Sequence, residues 1–178
     1  MDIALSAPSA ADAAEFVEAV RASRELHRPW TDPPDSPERF ADYLERVAGD
    51  EFAARLIRHA GCGKLVGYVN VNNVVRGPFQ SAYLGYSAFA SHAGRGLMAT
   101  GVRAFIDTAF NDLGLNRLEA NIQPNNHRSI HLVRRLGFEL EGFSRRYLWV
   151  DGAWRDHERW ALLAEDWKGR TPTPKPSS

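Results

Sequence analysis

The feature that most constrains the fold is a strand, a glycine turn and a helix in the middle of the chain. An apolar run over 82–89 predicts the strand, Gly94 and Gly96 mark the turn, and apolar residues recur at helical spacing over 98–113. The first turn of a helix leaves backbone N–H groups without intrahelical partners, and the positive end of the helix dipole adds to their attraction for anions. We therefore predict a phosphate or pyrophosphate site at the start of a helix that spans about 94–112.

Two other interpretations of the turn remain open from these residues alone. One is a tight turn whose glycines serve only its geometry. The other is the dinucleotide-binding fingerprint, which Gly94-x-Gly96-x-x-Ala99 matches, with Glu119 near the expected acidic position. A dinucleotide-binding fold opens with this fingerprint, whereas here the turn lies mid-chain behind strands that are typical of a meander. The position of the turn therefore argues against a dinucleotide-binding domain.

Size and composition are typical of a single globular domain. The chain has 178 residues, of which 44% are hydrophobic and 25% are charged. Its 22 basic and 22 acidic residues balance, so the strongly basic face of a nucleic-acid-binding protein is not expected. A single cysteine, Cys62, excludes an internal disulfide and favours a reducing compartment. Because there is no secretory signal pattern and no apolar run of about 20 residues, we expect a cytoplasmic protein that does not bind membranes.

Signals before the turn predict two helices and a meander of antiparallel strands. Ser9 and Asp12 resemble a capping box that opens a helix to about Arg24, and Pro37 stands at the first position of a helix that reaches about Val47. Apolar runs separated by short turn segments predict the strands. The predicted strands are 2–6, 52–57, 65–71 and 82–89.

Signals after the turn predict a parallel crossover, a short helix and a hairpin. A strand over 117–122 follows the central helix, which implies a right-handed crossover and a parallel pair with the strand over 82–89. Gly137 closes a helix over 129–136, and Asp151-Gly152 forms the two-residue turn of the hairpin. The predicted fold class is therefore mixed α/β, with a central sheet that is antiparallel at both ends and parallel in the middle.

The predicted domain organisation is simple. We assign residues 1–170 to one domain and predict that 171–178, a Pro, Ser and Thr segment, is a disordered tail. Trp30 lies in a proline-rich connector between the first two helices, where it either packs onto the core or forms the wall of a binding cleft.

Three further motifs follow the turn in order. They are Asn126-x-x-Ser129, Arg135-Leu136-Gly137-Phe138-Glu139 and Asp151-Gly152-Ala153-Trp154-Arg155-Asp156-His157. With the glycine turn they resemble the GNAT superfamily of acyl-CoA-dependent N-acetyltransferases. The segments 95–98, 117–121, 136–142 and 151–157 are similar to the RimJ/RimL branch, which is named for acetylation of the N-terminal α-amines of ribosomal proteins. The resemblance covers about 66–167.

The resemblance implies a GNAT fold and direct transfer of an acetyl group from acetyl-CoA to an amine, with neither a metal nor an acyl-enzyme. Amides of the turn would hold the pyrophosphate, and the backbone at Ala88 and Phe89 would be free for pantetheine because the parallel strands diverge there. Ser129 would donate to the leaving thiolate while Asn126 holds the cofactor; helix capping by Asn126 and a solvent-facing Ser129 are the alternatives. The implied cofactor-binding residues are Ala88, Phe89, Gly94, Arg95, Gly96, Leu97, Met98, Ala99, Asn121, Asn126 and Ser129.

The general base is the least defined part of the implied site. Many relatives carry Glu where Tyr83 stands here, so the usual base is absent from that position. Glu119 on the neighbouring strand is the first choice, directly or through water, with a surface carboxylate as the alternative; Tyr83, His92 and His127 follow. An N-terminal α-amine has a pKa of about 7.7–8.0 against about 10.4 for lysine, so a weak base suffices for it. Trp30 and Tyr83 are the predicted substrate-binding residues.

These observations favour an enzyme that acetylates a protein N-terminal α-amine, with ribosomal proteins among the candidate acceptors. A small-molecule amine such as an antibiotic or a polyamine is the alternative acceptor, and an acidic pocket would favour it. Tyr83 in place of Glu also leaves open a non-catalytic acyl-CoA-binding module. We expect an amine acceptor and a homodimer partner, but neither nucleic acid nor a membrane.

Overall fold

A computed structural model describes residues 2–170, which form one seven-stranded sheet with helices on both faces. The strands are β1 Ile3–Ser6, β2 Phe52–His59, β3 Leu65–Val75, β4 Ser81–Ala88, β5 Arg117–Ile122, β6 Glu139–Val150 and β7 Ala153–Leu163. The α-helices are α1 Ala13–Ala22, α2 Arg24–His27, α3 Pro37–Val47, α4 Leu97–Asn111, α5 His127–Leu136 and α6 Ala164–Arg170. Across the sheet the strand order is β1-β2-β3-β4-β5-β7-β6.

The sheet is mixed, as the sequence predicts. In residues 2–170 the pair β4–β5 is parallel and the other neighbouring strands are antiparallel. The parallel register runs only from Ser81 opposite Arg117 to Tyr83 opposite Glu119. Because β4 continues to Ala88 and β5 to Ile122 without further pairing to each other, the two strands diverge and leave an opening between them, the β4–β5 gap.

Different helices bury the two faces of the sheet. On one face, α4 and α5 enclose an apolar cluster that contains Val102 and Leu84. On the other face, α1 and α3 enclose an aromatic cluster around Phe16, whose ring centroid lies 4.6 Å from that of Phe40. Phe89, just after β4, belongs to this second cluster. Full burial of such a side chain contributes about 1.5–3 kcal/mol, so β4 is held from both faces where it borders the gap.

Several element boundaries differ from the predicted ones. The helix predicted to run to about Arg24 is interrupted at Ser23. The Ser23 hydroxyl accepts a hydrogen bond from the amide of Ala90 and donates one to the carbonyl of Ala19. The central helix begins at Leu97 rather than Gly94, because Gly94 and Gly96 both adopt a left-handed φ of +77° that no α-helix tolerates. The capping box at Ser9 forms as predicted, Pro37 stands at the first position of its helix as predicted, and the Ser36 side chain caps that helix.

The C-terminal part contains the predicted hairpin and two features that the sequence did not indicate. Asp151 and Gly152 have φ values of +48° and +74°, the conformation of a type I′ turn. The strand before this turn is continuous over the whole of β6, and α6 was not predicted. The predicted tail 171–178 lies outside the described residues. In residues 2–170 no helix is long and apolar enough to span a membrane.

Candidate active site

The edge of β4 that borders the gap carries free backbone groups. The amide of Phe89 donates to the carbonyl of Val66 at 2.8 Å, and Ala88 stands opposite Gly67. Residues of an antiparallel ladder alternate between bonding the partner strand and pointing away from it. The N–H and C=O of Tyr86 and Ala88 therefore point toward the gap. The prediction of a free backbone at both Ala88 and Phe89 is wrong for two groups: the Phe89 amide completes the pairing with β3, and the Ala88 carbonyl accepts a hydrogen bond from His27.

The corner between α1 and α2 holds the end of β4. His27 Nε2 donates to the carbonyl oxygen of Ala88 at 2.8 Å, and the Ala90 amide donates to Ser23 Oγ at 2.9 Å. Because a carbonyl only accepts, Nε2 of His27 carries the proton, and its Nδ1 is buried without a partner in the described structure. Burial lowers the pKa of His27, so the ring is neutral at physiological pH.

The same connector is tied to the other side of the gap. Gln123, the residue after β5, donates through Nε2 to the carbonyl of Pro29 at 3.1 Å, and its side chain is buried. Trp30 follows Pro29 in the chain and is half-buried. The predicted cleft residue thus lies in a segment anchored to both strands that border the gap.

The glycine turn before α4 presents a row of backbone donors. Within residues 2–170, the amides from 94 to 99 donate to no backbone carbonyl. Gly94 and Gly96 both have φ +77°, and a Cβ built on either would meet nothing within 4 Å. Arg95 between them is exposed. An anion therefore has both the donors and the open space that it needs at the positive end of a helix of 15 residues.

Ser129 lies on the first turn of α5 and forms a side-chain pair that the sequence did not predict. The hydroxyl oxygens of Ser129 and Tyr86 are 2.5 Å apart. Burial raises the pKa of Tyr86 to about 12, so its phenol is protonated at physiological pH. Asn126 Oδ1 accepts a hydrogen bond from the amide of Ser129 at 3.2 Å. Asn126 therefore caps the helix, the role given above as its alternative to cofactor binding. The capping bond leaves the hydroxyl of Ser129 available for other contacts.

A charged row lies on the opposite face of β5. Core residues of β5 alternate with Arg117, Glu119 and Asn121, which therefore point away from α4 and α5. Arg117 donates from Nε to Glu119 at 2.8 Å and from Nη1 to Glu141 at 3.0 Å. Hydrogen bonds to Glu141 and Glu119 raise the pKa of Arg117, and Arg117 lowers the pKa of Glu141. Glu119 is thus part of an ion-pair network and not an isolated surface carboxylate.

Tyr83 lies on this second face, beside Glu119 in the parallel register. A hydrogen bond with Tyr147 and partial burial raise the pKa of Tyr83 to about 12. A phenol with this pKa is protonated at physiological pH, which favours Glu119 over Tyr83 as the general base. The ring centroid of Tyr147 lies 6.1 Å from that of His157, which is buried.

The two histidines named as alternative bases lie elsewhere. His92 is buried and its Nδ1 is 2.9 Å from the hydroxyl of Ser91. His127 is exposed at the first position of α5. Neither contacts the network around Glu119. In residues 2–170 no group of three or more His, Cys, Asp or Glu side chains is arranged to hold a metal ion.

Comparison with known proteins identifies the family. Residues 2–139 match the acetyltransferase (GNAT) domain. The chain is 36% identical over 128 residues to the probable N-acetyltransferase YjcK of Bacillus subtilis (strain 168), which covers 72% of this chain and 71% of that protein. It is 44% identical over 104 residues to the ribosomal protein uS5-alanine N-acetyltransferase of Escherichia coli (strain K12), covering 58% of this chain and 54% of that protein. The alignment with the latter thus spans about half of its length.

A solved structure agrees with these relatives. Mycobacterium smegmatis RimJ in complex with CoA-disulfide superposes with a TM-score of 0.84 at 28% sequence identity, covering 92% of this chain and 83% of that one. The chain belongs to the GNAT family of acetyltransferases. Within the family it is RimJ/RimL-like, and both the predicted fold and the predicted enzyme class are confirmed.

Tyr86 is the site residue that sequence reasoning missed. Strand alternation would have placed it with Ala82 and Leu84 on the face of β4 that α4 and α5 cover. A tyrosine on a buried face needs a hydrogen-bond partner for its hydroxyl, and this requirement is the signal that could have pointed to Ser129.

Proposed function

We propose that this acetyltransferase moves an acetyl group from acetyl-CoA to a protein N-terminal α-amine. The observation that carries the proposal is the β4–β5 gap, which has free backbone groups on one edge, the Ser129 hydroxyl on one face of the sheet and the Glu119 carboxylate on the other. Direct transfer requires two substrates to meet at one point from different directions, and a gap between two strands provides such a point. Similarity to the ribosomal protein uS5-alanine N-acetyltransferase supports the acceptor class.

The residues present fit the cofactor. The unbonded amides of 94–99 and the open space beside Gly94 and Gly96 suit a pyrophosphate. The unbonded groups on this edge of β4 are the N–H and C=O of Tyr86 and the N–H of Ala88, which suit the amides of a pantetheine arm because they include donors and an acceptor. Acetyl-CoA would supply the activated acetyl thioester. The chain supplies binding, orientation and proton handling.

The amide of Ala88 is the proposed donor to the thioester carbonyl oxygen. It points toward the gap, and His27 fixes the backbone at this residue by bonding its carbonyl. One such preorganised donor contributes about 2.7–4 kcal/mol to transition-state stabilisation. His27 is therefore a positioning residue in this proposal, acting through the backbone of Ala88.

Ser129 is the proposed donor to the leaving thiolate. When the Tyr86 hydroxyl donates to Ser129 Oγ, the Ser129 hydrogen is free to point into the gap. The raised pKa of Tyr86 keeps its phenol protonated and therefore able to donate. Tyr86 thus positions Ser129 in this mechanism.

The charge on the acceptor side supports an α-amine over a polyamine. Charged groups that interact with one another on this face include Glu119, Glu141, Arg117 and Arg159, two of each sign. A polyamine carries several positive charges and calls for an acidic pocket, which this balanced set does not provide. An α-amine needs little help to lose a proton because its pKa of about 7.7–8.0 is close to physiological pH. Glu119, or water beside it, suffices as the proton acceptor.

The test is acetyl transfer read by mass spectrometry. The protein is incubated with acetyl-CoA and a panel of free-N-terminus peptides, peptides with lysine as the sole amine, polyamines and aminoglycosides. We expect acetylation of α-amines alone. Transfer only to a small amine would contradict the proposed acceptor, and transfer to none of them would contradict the proposal as a whole.

A variant tests the role of Ser129. General acid catalysis contributes 10²-fold or more, so we expect Ser129→Ala to lower kcat about 100-fold. Ser6→Ala on β1, at the far edge of the sheet, is the matched control and should retain full activity. An unchanged kcat in Ser129→Ala would show that another group or solvent protonates the thiolate.

A further inference from the structure

Side chains around the β4–β5 gap separate onto the two faces of the sheet. Tyr86 and Ser129 meet on the face covered by α4 and α5, and the glycine turn leads into α4 on that same face. Glu119 and Asn121 lie on the other face, because they alternate with core residues along β5. The groups proposed to contact the cofactor and the groups proposed to receive the acceptor amine are therefore on opposite sides.

Asn121 carries a buried hydrogen-bond acceptor without a donor. Its Oδ1 atom is buried and has no hydrogen-bond partner in residues 2–170. Glu119, two residues earlier in the same row, is bonded to Arg117 at 2.8 Å. An unpaired buried acceptor lowers the stability of a fold and is rare in native structures, so its presence calls for an explanation. A ligand that donates a hydrogen bond is such an explanation.

The position of Asn121 determines the side from which that ligand approaches. The last paired residues of β4 and β5 are Tyr83 and Glu119, so Asn121 lies beyond the point where β4 leaves β5. Its neighbour on the other side is Arg159 of β7, which is exposed. At Asn121, β5 is paired with β7 and unpaired on the β4 side, so the side left for a donor to Oδ1 is the gap, on the face that also carries Glu119.

We infer that Oδ1 of Asn121 binds an N–H of the acceptor's primary amine. This inference rests on the proposed function and assigns Asn121, expected from the sequence resemblance to bind the cofactor, to the other substrate. A neutral primary amine has two N–H bonds and one lone pair. When one N–H bonds to Asn121 and the other to the carboxylate of Glu119, the lone pair is left to point into the gap.

A neutral amide suits this task better than a second carboxylate. Attack forms a nitrogen–carbon bond with the lone pair as the carbon–sulfur bond breaks, and the surplus proton on nitrogen passes to Glu119 or water. A carboxylate at position 121 would stabilise the ammonium form, which has no lone pair, and would raise the pKa of the bound amine. The amide oxygen orients the N–H without favouring the charged form.

The test uses the near-isosteric variant Asn121→Leu. Removal of one hydrogen bond to the amine is expected to raise the acceptor KM about tenfold. The Kd of a free-N-terminus peptide, measured by calorimetry on the CoA-bound protein, should rise equally, while the KM for acetyl-CoA changes by less than about twofold. The thermal midpoint should equal or exceed that of the wild type, because the variant loses an unpaired buried polar atom. Asn111→Ala, at the exposed end of α4, is the control and should change none of these values.

A second variant separates charge from hydrogen bonding. Asn121→Asp keeps an acceptor at the same position and adds a negative charge. We expect it to retain peptide binding and to shift the rise of kcat/KM with pH to higher pH, because the carboxylate holds the amine in its ammonium form. An unshifted pH profile would mean that residue 121 does not contact the amine.

Three other results would overturn the inference. An increased KM for acetyl-CoA with an unchanged peptide Kd in Asn121→Leu would assign Asn121 to the cofactor. A lowered thermal midpoint without a change in either constant would assign it a structural role. A peptide Kd of Asn121→Leu equal to that of the wild type would show that Asn121 does not bind the acceptor. Calorimetry detects amine binding without turnover, so failure of this inference remains distinguishable from an absence of acetyl transfer by the wild type.

Discussion

At the scale of single residues, the tyrosine–serine pair shows how burial shapes the chemistry of the site. The Tyr86 hydroxyl has Ser129 as its hydrogen-bond partner, with an oxygen–oxygen distance of 2.5 Å. Burial raises the pKa of Tyr86 to about 12, which keeps it a hydrogen-bond donor over the physiological range. The pair thus gives Ser129 a defined orientation that helix capping by Asn126 alone would not impose.

Tyr86→Phe tests this orientation. Loss of the hydroxyl leaves Ser129 free to rotate, so we expect kcat to fall about tenfold with both KM values nearly unchanged. Tyr43→Phe is the matched control, because Tyr43 is also buried but its hydroxyl has no partner in the described structure. The control should keep full activity and an equal or higher thermal midpoint. Equal kcat values for the two variants would remove Tyr86 from the mechanism.

At the scale of secondary-structure elements, the start of α4 has the features of an anion-binding site. A left-handed glycine, Gly96, stands at the N-cap, where the absence of a side chain leaves the end of the helix open. Substitution by alanine meets no neighbouring atom, so its cost comes from backbone strain of roughly 1–2 kcal/mol. The added methyl group also projects into the open space beside the amides, where a phosphate would approach.

Gly96→Ala and Gly114→Ala separate strain from binding. Gly114 also has a left-handed φ, +64°, and open space at its Cβ, but it lies in the turn after α4, at the other end of the helix. We expect similar falls in thermal midpoint, of several degrees, in both variants. Only Gly96→Ala should weaken CoA binding, by about tenfold in calorimetry. Equal CoA affinities in the two variants would contradict a phosphate site at this turn.

At the scale of the whole molecule, buried histidines couple folding to pH. His27 links the α1–α2 corner to the end of β4, and burial holds its pKa below the ordinary value of 6.5. His157 on β7 is also buried, with its pKa lowered by burial. A histidine with a lowered folded-state pKa takes up its proton more readily when the chain unfolds. Its stabilising contribution is complete above about pH 6.5 and is lost as the pH falls below that value.

Thermal unfolding between pH 8 and pH 5 measures this coupling. We expect the midpoint of the wild type to fall as the pH drops below about 6.5. His27→Gln keeps an N–H donor for the Ala88 carbonyl but does not titrate, so its midpoint should fall less steeply. Part of the slope should remain because His157 still titrates. Parallel curves for the two proteins would show that His27 is protonated equally in the folded and unfolded chains.

Local signals in the sequence determined most of the fold. The period of apolar residues, the capping box at Ser9, the proline at position 37 and the turn at Asp151 act within a few residues, so most helices and strands and the hairpin could be predicted from them. The glycine turn and its place before the central helix were predictable for the same reason. The parallel crossover followed because right-handed connections are strongly preferred.

Contacts between distant segments decided the rest. Ser23 interrupts the first helix because its hydroxyl bonds Ala90, 67 residues away, and no local pattern contains that partner. The amide of Phe89 is occupied because the register with β3 makes it a pairing residue. The sequence by itself thus determined the elements, their order and the anion-binding turn. The tertiary structure decided which backbone groups face the gap, that Tyr86 meets Ser129, and that Asn121 keeps an unpaired acceptor, since each depends on residues that only folding brings together.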